Sequence, residues 1–149
     1  MIDLLLSLAF SIQSNKGVYA LLLGSGVSRP AGVPTGWEII LDLTRKLAHV
    51  AGENSQPHPE EWYKRKFGEE PNYSKVIEEI AKTASERSGL LRSYFEPTEE
   101  EIQQKIKVPS QGHSAIAELV KLGFIRVIVT TNFDRLLEKA LEDVGITPQ

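Results

Sequence analysis

The sequence predicts an α/β fold in which a parallel sheet is flanked by helices, with a helical insertion between its two recognisable strands. Three observations predict it. Residues 18–23 are an apolar run that stops at Gly24 and Gly26, and residues 125–129 are a second run, rich in β-branched side chains, that stops at Thr130-Thr131-Asn132. Each run is followed by apolar residues at helical spacing. Repeated strand, turn and helix imply parallel pairing, and the carboxyl ends of parallel strands are where open α/β sheets bind ligands.

A chain of 149 residues, 41% apolar and 25% charged, can bury a core of ordinary size. The net charge of −3 and the mixing of bases with acids, as in Lys64-Arg65-Lys66 followed by Glu69-Glu70, offer no basic stripe to a nucleic acid. With no cysteine there are no disulfides or thiolate metal sites, which fits a reducing cytosol. His49, His58 and His113 are too dispersed to suggest a metal site. The apolar N-terminal stretch contains Asp3, lacks a basic start and is too short to span a bilayer, so a cytoplasmic protein without a membrane partner is expected.

Taken in order, residues 2–14 place Ile2, Leu5, Leu6, Ala9 and Ile12 at helical spacing, predicting a core-packing helix that ends at Asn15-Lys16-Gly17. Residues 18–23 are apolar on both faces except for the Tyr19 hydroxyl, the pattern of a buried parallel strand. A helix beginning near Gly36 or Trp37 carries Ile39, Ile40, Leu43, Leu47 and Val50 and stops by Gly52. Residues 52–107 form the helical insertion. It starts as a polar, loop-rich stretch punctuated by Pro57, Pro59, Gly68 and Pro71, with one short helix at 61–66. A helix over 73–87, a short piece over 90–95 and a start at Thr98 before Glu99-Glu100-Glu101 follow.

Residues 109–113 open a helix with Ile116, Leu119, Val120 and Leu122 on one face, ended by Gly123. After the second strand, Leu136, Leu137, Ala140, Leu141 and Val144 repeat as a helix. Two strands are few beside the about five or six of an ordinary sheet. The chain is therefore expected to be the N-terminal part of one larger domain, residues 1–149 included, or to complete its sheet by association.

The turn after the first strand reads Gly24-Ser25-Gly26-Val27-Ser28-Arg29-Pro30-Ala31-Gly32-Val33-Pro34. It is not Gly-x-Gly-x-x-Gly, because Arg29 stands at the third glycine, and no Gly-Lys-Ser/Thr ends it. Positions without side chains at a strand end let a phosphate meet backbone N–H groups directly. A tight connection is the other reading of the same glycines.

The spacing Gly-x-Gly-x-Ser-x-x-x-Gly-x-Pro resembles the first motif of the sirtuin superfamily, whose loop wraps NAD. Thr130-Thr131-Asn132-Phe133-Asp134 resembles its second motif, Thr-Gln-Asn-Ile/Val-Asp, and Pro109 and His113 match a proline and histidine that precede the intervening helix. Where deacylating members continue with Asp-Phe-Arg, this chain has Thr35-Gly36-Trp37, and Thr131 stands in place of their glutamine. Both departures resemble the divergent bacterial sirtuin-like NAD hydrolases of antiphage defence.

The resemblance implies a Rossmann-like sheet and a full-length parent that hydrolyses NAD to ADP-ribose and nicotinamide. It implies that Gly24, Ser25, Gly26 and Val27 meet the pyrophosphate with Ser28 nearby, that Pro34, Thr131, Asp134 and His113 belong to the same NAD site, and that Asn132 is catalytic. An amide donates to one oxygen and accepts from another, which suits Asn132 to orient a water or a ribose hydroxyl while the N-glycosidic bond breaks through an oxocarbenium-like transition state. Asp134 either bonds the nicotinamide amide or caps the next helix. His113 also reads as a histidine packed or hydrogen-bonded at a helix start.

In the family the general base is a histidine on a strand downstream of the Asn-x-Asp turn. No histidine follows His113. The chain alone is therefore expected to be nearly inactive, its parent having further C-terminal domains or forming a homo-oligomer. Two alternatives stand beside the hydrolase: an NAD-dependent protein deacylase, and a non-catalytic NAD or ADP-ribose sensor.

Overall fold

A computed structural model describes residues 3–148; Ile2, counted above in the first helical stripe, lies outside them. In chain order the elements are α1 (Leu4–Ser14), β1 (Tyr19–Leu23), α2 (Gly36–Val50), α3 (Pro59–Phe67), α4 (Tyr73–Ile80), α5 (Ala84–Phe95), α6 (Glu99–Gln103), α7 (Gln111–Lys121), β2 (Ile125–Thr130) and α8 (Leu136–Asp143). Two short 3-10 turns, Ser25–Val27 and Arg29–Ala31, follow β1. The chain divides into two compact units, one running up to Val33 and resuming at Pro97, the other being Pro34–Glu96. The helical unit thus differs from the insertion expected at 52–107: it begins earlier and takes in α2, which sequence spacing had assigned to the first strand.

In the first unit β1 and β2 are parallel neighbours, with Ala20 opposite Val127, Leu21 opposite Ile128, Leu22 opposite Val129 and Leu23 opposite Thr130. These two strands make the whole sheet among the described residues. The molecule is therefore helix-rich, with a small parallel sheet flanked by helices. The expectation that β1 is buried on both faces is overturned, since Leu22 is 76% exposed and Val129 beside it 54%. Burying both faces of a parallel sheet takes a layer on each. Ala20, Leu22, Val127 and Val129 share one face by register and alternation, and all four are exposed.

The first helix departs from expectation in the same way. Its start is local chemistry, the Asp3 carboxylate accepting the Leu5 N–H at 3.0 Å. Yet none of its residues is buried, and Leu4, Leu5, Leu6, Leu8 and Phe10 are exposed. An apolar stripe identifies a helix without identifying what covers it. One core cluster of this unit lies between α7 and α8, where Ala117, Ala140 and Leu141 are buried and Val120, Leu137, Val144 and Ile146 pack around them. Thr98 caps the start of α6, as the sequence predicted, and Glu101 reaches back to complete a reciprocal capping box.

In the second unit Ile39, Leu43 and Ala48 of α2 pack with Trp62 and Tyr63 of α3 and Val76 and Ile77 of α4. Each large side chain withdrawn from water there contributes about 1.5–3 kcal/mol. The polar character read from residues 52–72 hid this: Trp62 and Tyr63 are core residues, and the Trp62 indole N–H donates to Glu53 at 2.9 Å. The helix expected over 73–87 is in fact broken, because Thr83 and Glu86 form a capping box that starts α5 afresh at Ala84. The Tyr94 hydroxyl accepts from Lys46 at 2.8 Å and donates to Asp42 at 2.5 Å, tying α5 to α2.

Candidate functional site

Parallel pairing puts the ends of β1 and β2 side by side, and the backbone continues the pairing one step further. The Thr131 N–H donates to the Leu23 carbonyl at 3.1 Å. The Asn132 N–H then turns back to Thr130 Oγ1 at 3.1 Å, and the Asp134 carboxylate accepts the Leu136 N–H at 3.1 Å to start α8. Asn132 thus sits in the short turn between β2 and α8, its backbone held by Thr130. Its side-chain nitrogen lies 3.3 Å from Ser28 Oγ, so the turn after β2 meets the loop after β1.

Ser28 is fully buried, as is His113, whose Nε2 lies 3.3 Å from the same serine oxygen. His113 occupies the third position of α7, where a glutamate or glutamine commonly closes a capping box. Its Nδ1 takes that role, accepting the Ser110 backbone N–H at 3.1 Å, with the Ser110 hydroxyl 2.8 Å away. A backbone amide only donates, so Nδ1 carries no proton and the neutral ring carries its proton on Nε2. Burial pushes the His113 pKa below its ordinary value, and the nearby Asp134 carboxylate opposes this without cancelling it. The imidazole is accordingly a neutral Nε2–H donor toward Ser28.

That direction decides what the cluster can do. A serine activated for attack needs an unprotonated nitrogen facing its hydroxyl. His113 presents an N–H instead, so Ser28 is not a base-activated nucleophile. Asn132 Oδ1 is buried and has no hydrogen-bond partner. A sealed acceptor without a donor is costly and marks a place that accounts for itself only when something else binds or moves.

The glycine loop shows why two of its residues are glycine. A Cβ built on Gly24 or Gly26 meets nothing within 4 Å, and neither residue has a positive φ. Neither backbone strain nor internal packing asks for glycine there, and what the two residues provide is bare backbone. Ser25 and Gly26 open the first 3-10 turn, so their N–H groups have no acceptor within it. Gly32 is different in kind: its φ is +81° and an added Cβ would come 2.9 Å from Ile106 Cγ2.

Of the residues expected to hold a ligand, Gly24, Ser25, Gly26, Val27, Ser28, His113, Thr131, Asn132 and Asp134 all lie in the first unit, whereas Pro34 begins the second. Ser28, His113, Asn132 and Asp134 gather around the ends of the two strands; Thr131 is exposed and contributes its backbone to the pairing. The glycine loop was expected to run into the helix beginning at Gly36. That helix exists, but two 3-10 turns intervene, it belongs to the other unit, and its first turn carries Glu38, whose carboxylate accepts the Thr35 N–H at 2.8 Å. Asp134 and His113 each accept a backbone N–H at a helix start, from Leu136 and Ser110 respectively.

Sequence reasoning missed Ser110 as the residue that sets the His113 tautomer. The signal was the spacing Ser110-x-x-His113, a capping box with histidine as its far member. His49 and His58 are exposed. Among the described residues no cluster of histidine and acidic side chains could hold a metal ion, and no helix is long and apolar enough to cross a membrane. No family model and no curated protein matches this chain.

Proposed function

We propose that the chain binds NAD where the turns after β1 and β2 meet, and that it forms the dinucleotide-holding part of a Rossmann-like, sirtuin-like NAD hydrolase that releases nicotinamide and ADP-ribose, in bacteria as a defence against phage. One observation carries the reading: the contact between Ser28 and Asn132, which joins a loop of bare backbone to a carboxamide at the same edge of two parallel strands. On this reading Gly24, Ser25 and Gly26 offer N–H groups to the pyrophosphate, and Asn132 orients the ribose or the attacking water. The open face formed by Ala20, Leu22, Val127 and Val129 is covered by a second copy or by further chain.

A second reading, an NAD or ADP-ribose sensor without turnover, is favoured by one observation. The only histidine at the site has Nδ1 committed to Ser110 and Nε2 protonated, so the described residues around Asn132 include no imidazole able to act as base. The two readings separate in one assay of nicotinamide release. Slow release that Asn132→Ala abolishes supports the hydrolase, binding with no release supports the sensor, and release that persists in Asn132→Ala contradicts the role given to Asn132.

A further inference from the structure

Four residues at this site form one directed chain of donors and acceptors. The Ser110 N–H gives to His113 Nδ1, and His113 Nε2–H gives to Ser28 Oγ. Ser28 then has its own proton left to give, and the group within reach is the Asn132 carboxamide, 3.3 Å away. With the carboxamide nitrogen toward Ser28, the serine oxygen receives two donors, its proton meets no acceptor there, and Asn132 Oδ1 stays buried without a donor. A half-turn of the carboxamide pairs these two losses with each other, Ser28 O–H giving to Asn132 Oδ1. What is unsatisfied afterwards is a donor, the amide NH2, in the place the orphan oxygen held.

We infer that His113 is a positioning residue: by keeping its proton on Nε2 it makes Ser28 a donor, which holds Asn132 by its oxygen and leaves the amide NH2, in the sealed place of the orphan oxygen, to meet an acceptor oxygen of the bound nucleotide, such as a ribose hydroxyl, when the turn after β2 shifts to admit it. The identity of that nucleotide rests on the NAD reading above; the direction of the chain does not. Buried polar chains of this kind are sensitive to direction because each member has few ways to satisfy its neighbour. The same direction explains why the histidine stands where a glutamate would cap α7 equally well. Glutamate would hold the Ser110 N–H but would bring no donor to Ser28.

The test is NMR of the 149-residue chain with nitrogen-15 and carbon-13 labels, alone and titrated with NAD. The account predicts a proton on Nε2 of His113 and none on Nδ1. It predicts that Ser28→Ala and His113→Phe each move the Asn132 side-chain carbonyl carbon resonance and leave its NH2 protons nearly in place, while His113→Gln, which still offers an N–H, restores the wild-type carbonyl shift. Loss of one neutral hydrogen bond would weaken NAD about fivefold in Ser28→Ala. A proton on Nδ1, or an Asn132 carbonyl that stays put in Ser28→Ala while the NH2 protons move, overturns the inference. If His113→Phe fails to fold, the wild-type tautomer and Ser28→Ala decide alone. If NAD leaves every spectrum unchanged but the carbonyl behaves as described, the chain of donors stands and the NAD reading falls.

Discussion

Asn132 and Ser28, 104 positions apart in the chain, meet with the carboxamide nitrogen 3.3 Å from the serine oxygen. The contact follows from parallel pairing, since Leu23 and Thr130 are register partners and each turn begins within a residue of its strand's end. Bare backbone, a buried hydroxyl, a neutral imidazole and a carboxamide are thereby gathered at one edge of a two-stranded sheet.

Gly24 and Gly26 let the proposed NAD binding be tested apart from folding. Because an added Cβ meets nothing and no positive φ is involved, Gly24→Ala and Gly26→Ala should leave the melting temperature within the range of a surface change, about 0.5 kcal/mol either way. If a pyrophosphate approaches that backbone, each methyl stands between them, and NAD affinity should fall about tenfold, equivalent to about 1.4 kcal/mol. Thermal melts and NAD titrations on the same samples check both halves; alanine variants that bind NAD normally would contradict the pyrophosphate assignment.

Gly32 should behave in the opposite way. Its φ of +81° is a conformation that alanine resists, and the new methyl would press on Ile106. Gly32→Ala is expected to destabilise the first unit by about 1–3 kcal/mol in chemical denaturation. An unchanged midpoint would show that the Arg29–Ala31 turn relaxes at no cost.

His113 gives stability a pH dependence of definite sign. Its folded-state pKa lies below the ordinary value of about 6.5 because burial disfavours the imidazolium. Above that value neither state is protonated and the group adds no slope. As pH falls below it the unfolded chain takes up a proton that the folded chain refuses, so stability drops until the folded pKa is reached. The groups that bear on this ring are the neutral Ser110 and Ser28 and the carboxylate of Asp134, which works against the shift. Denaturation midpoints measured from pH 7.5 down to pH 5 should show the fall, and His113→Gln should flatten it.

How far the sequence could be read follows from how local each determinant is. Asp3, Thr98 and the Thr130–Asp134 turn act within a few residues, and the elements they start were legible. The Thr83–Glu86 box is equally local, but it lay inside an apolar repeat that masked it. Trp62 and Tyr63 drew no core assignment because they stand among Glu60, Glu61, Lys64 and Arg65 in a polar stretch, yet both are buried in α3. The burial of β1 and α1 was misjudged because an apolar run records a need for cover without recording whether cover exists. The direction of the His113, Ser28 and Asn132 contacts was beyond the sequence: it depends on separations of 85 and 104 residues and on which ring nitrogen carries the proton.

The most direct measurement is calorimetric titration of NAD into the 149-residue chain and its Asn132→Ala variant, each first verified as folded. The account predicts saturable one-to-one binding to the wild type and binding weakened at least about tenfold in the variant. No heat of binding to the wild type, or equal affinity in the two proteins, would contradict the claim that NAD is held where these two turns meet.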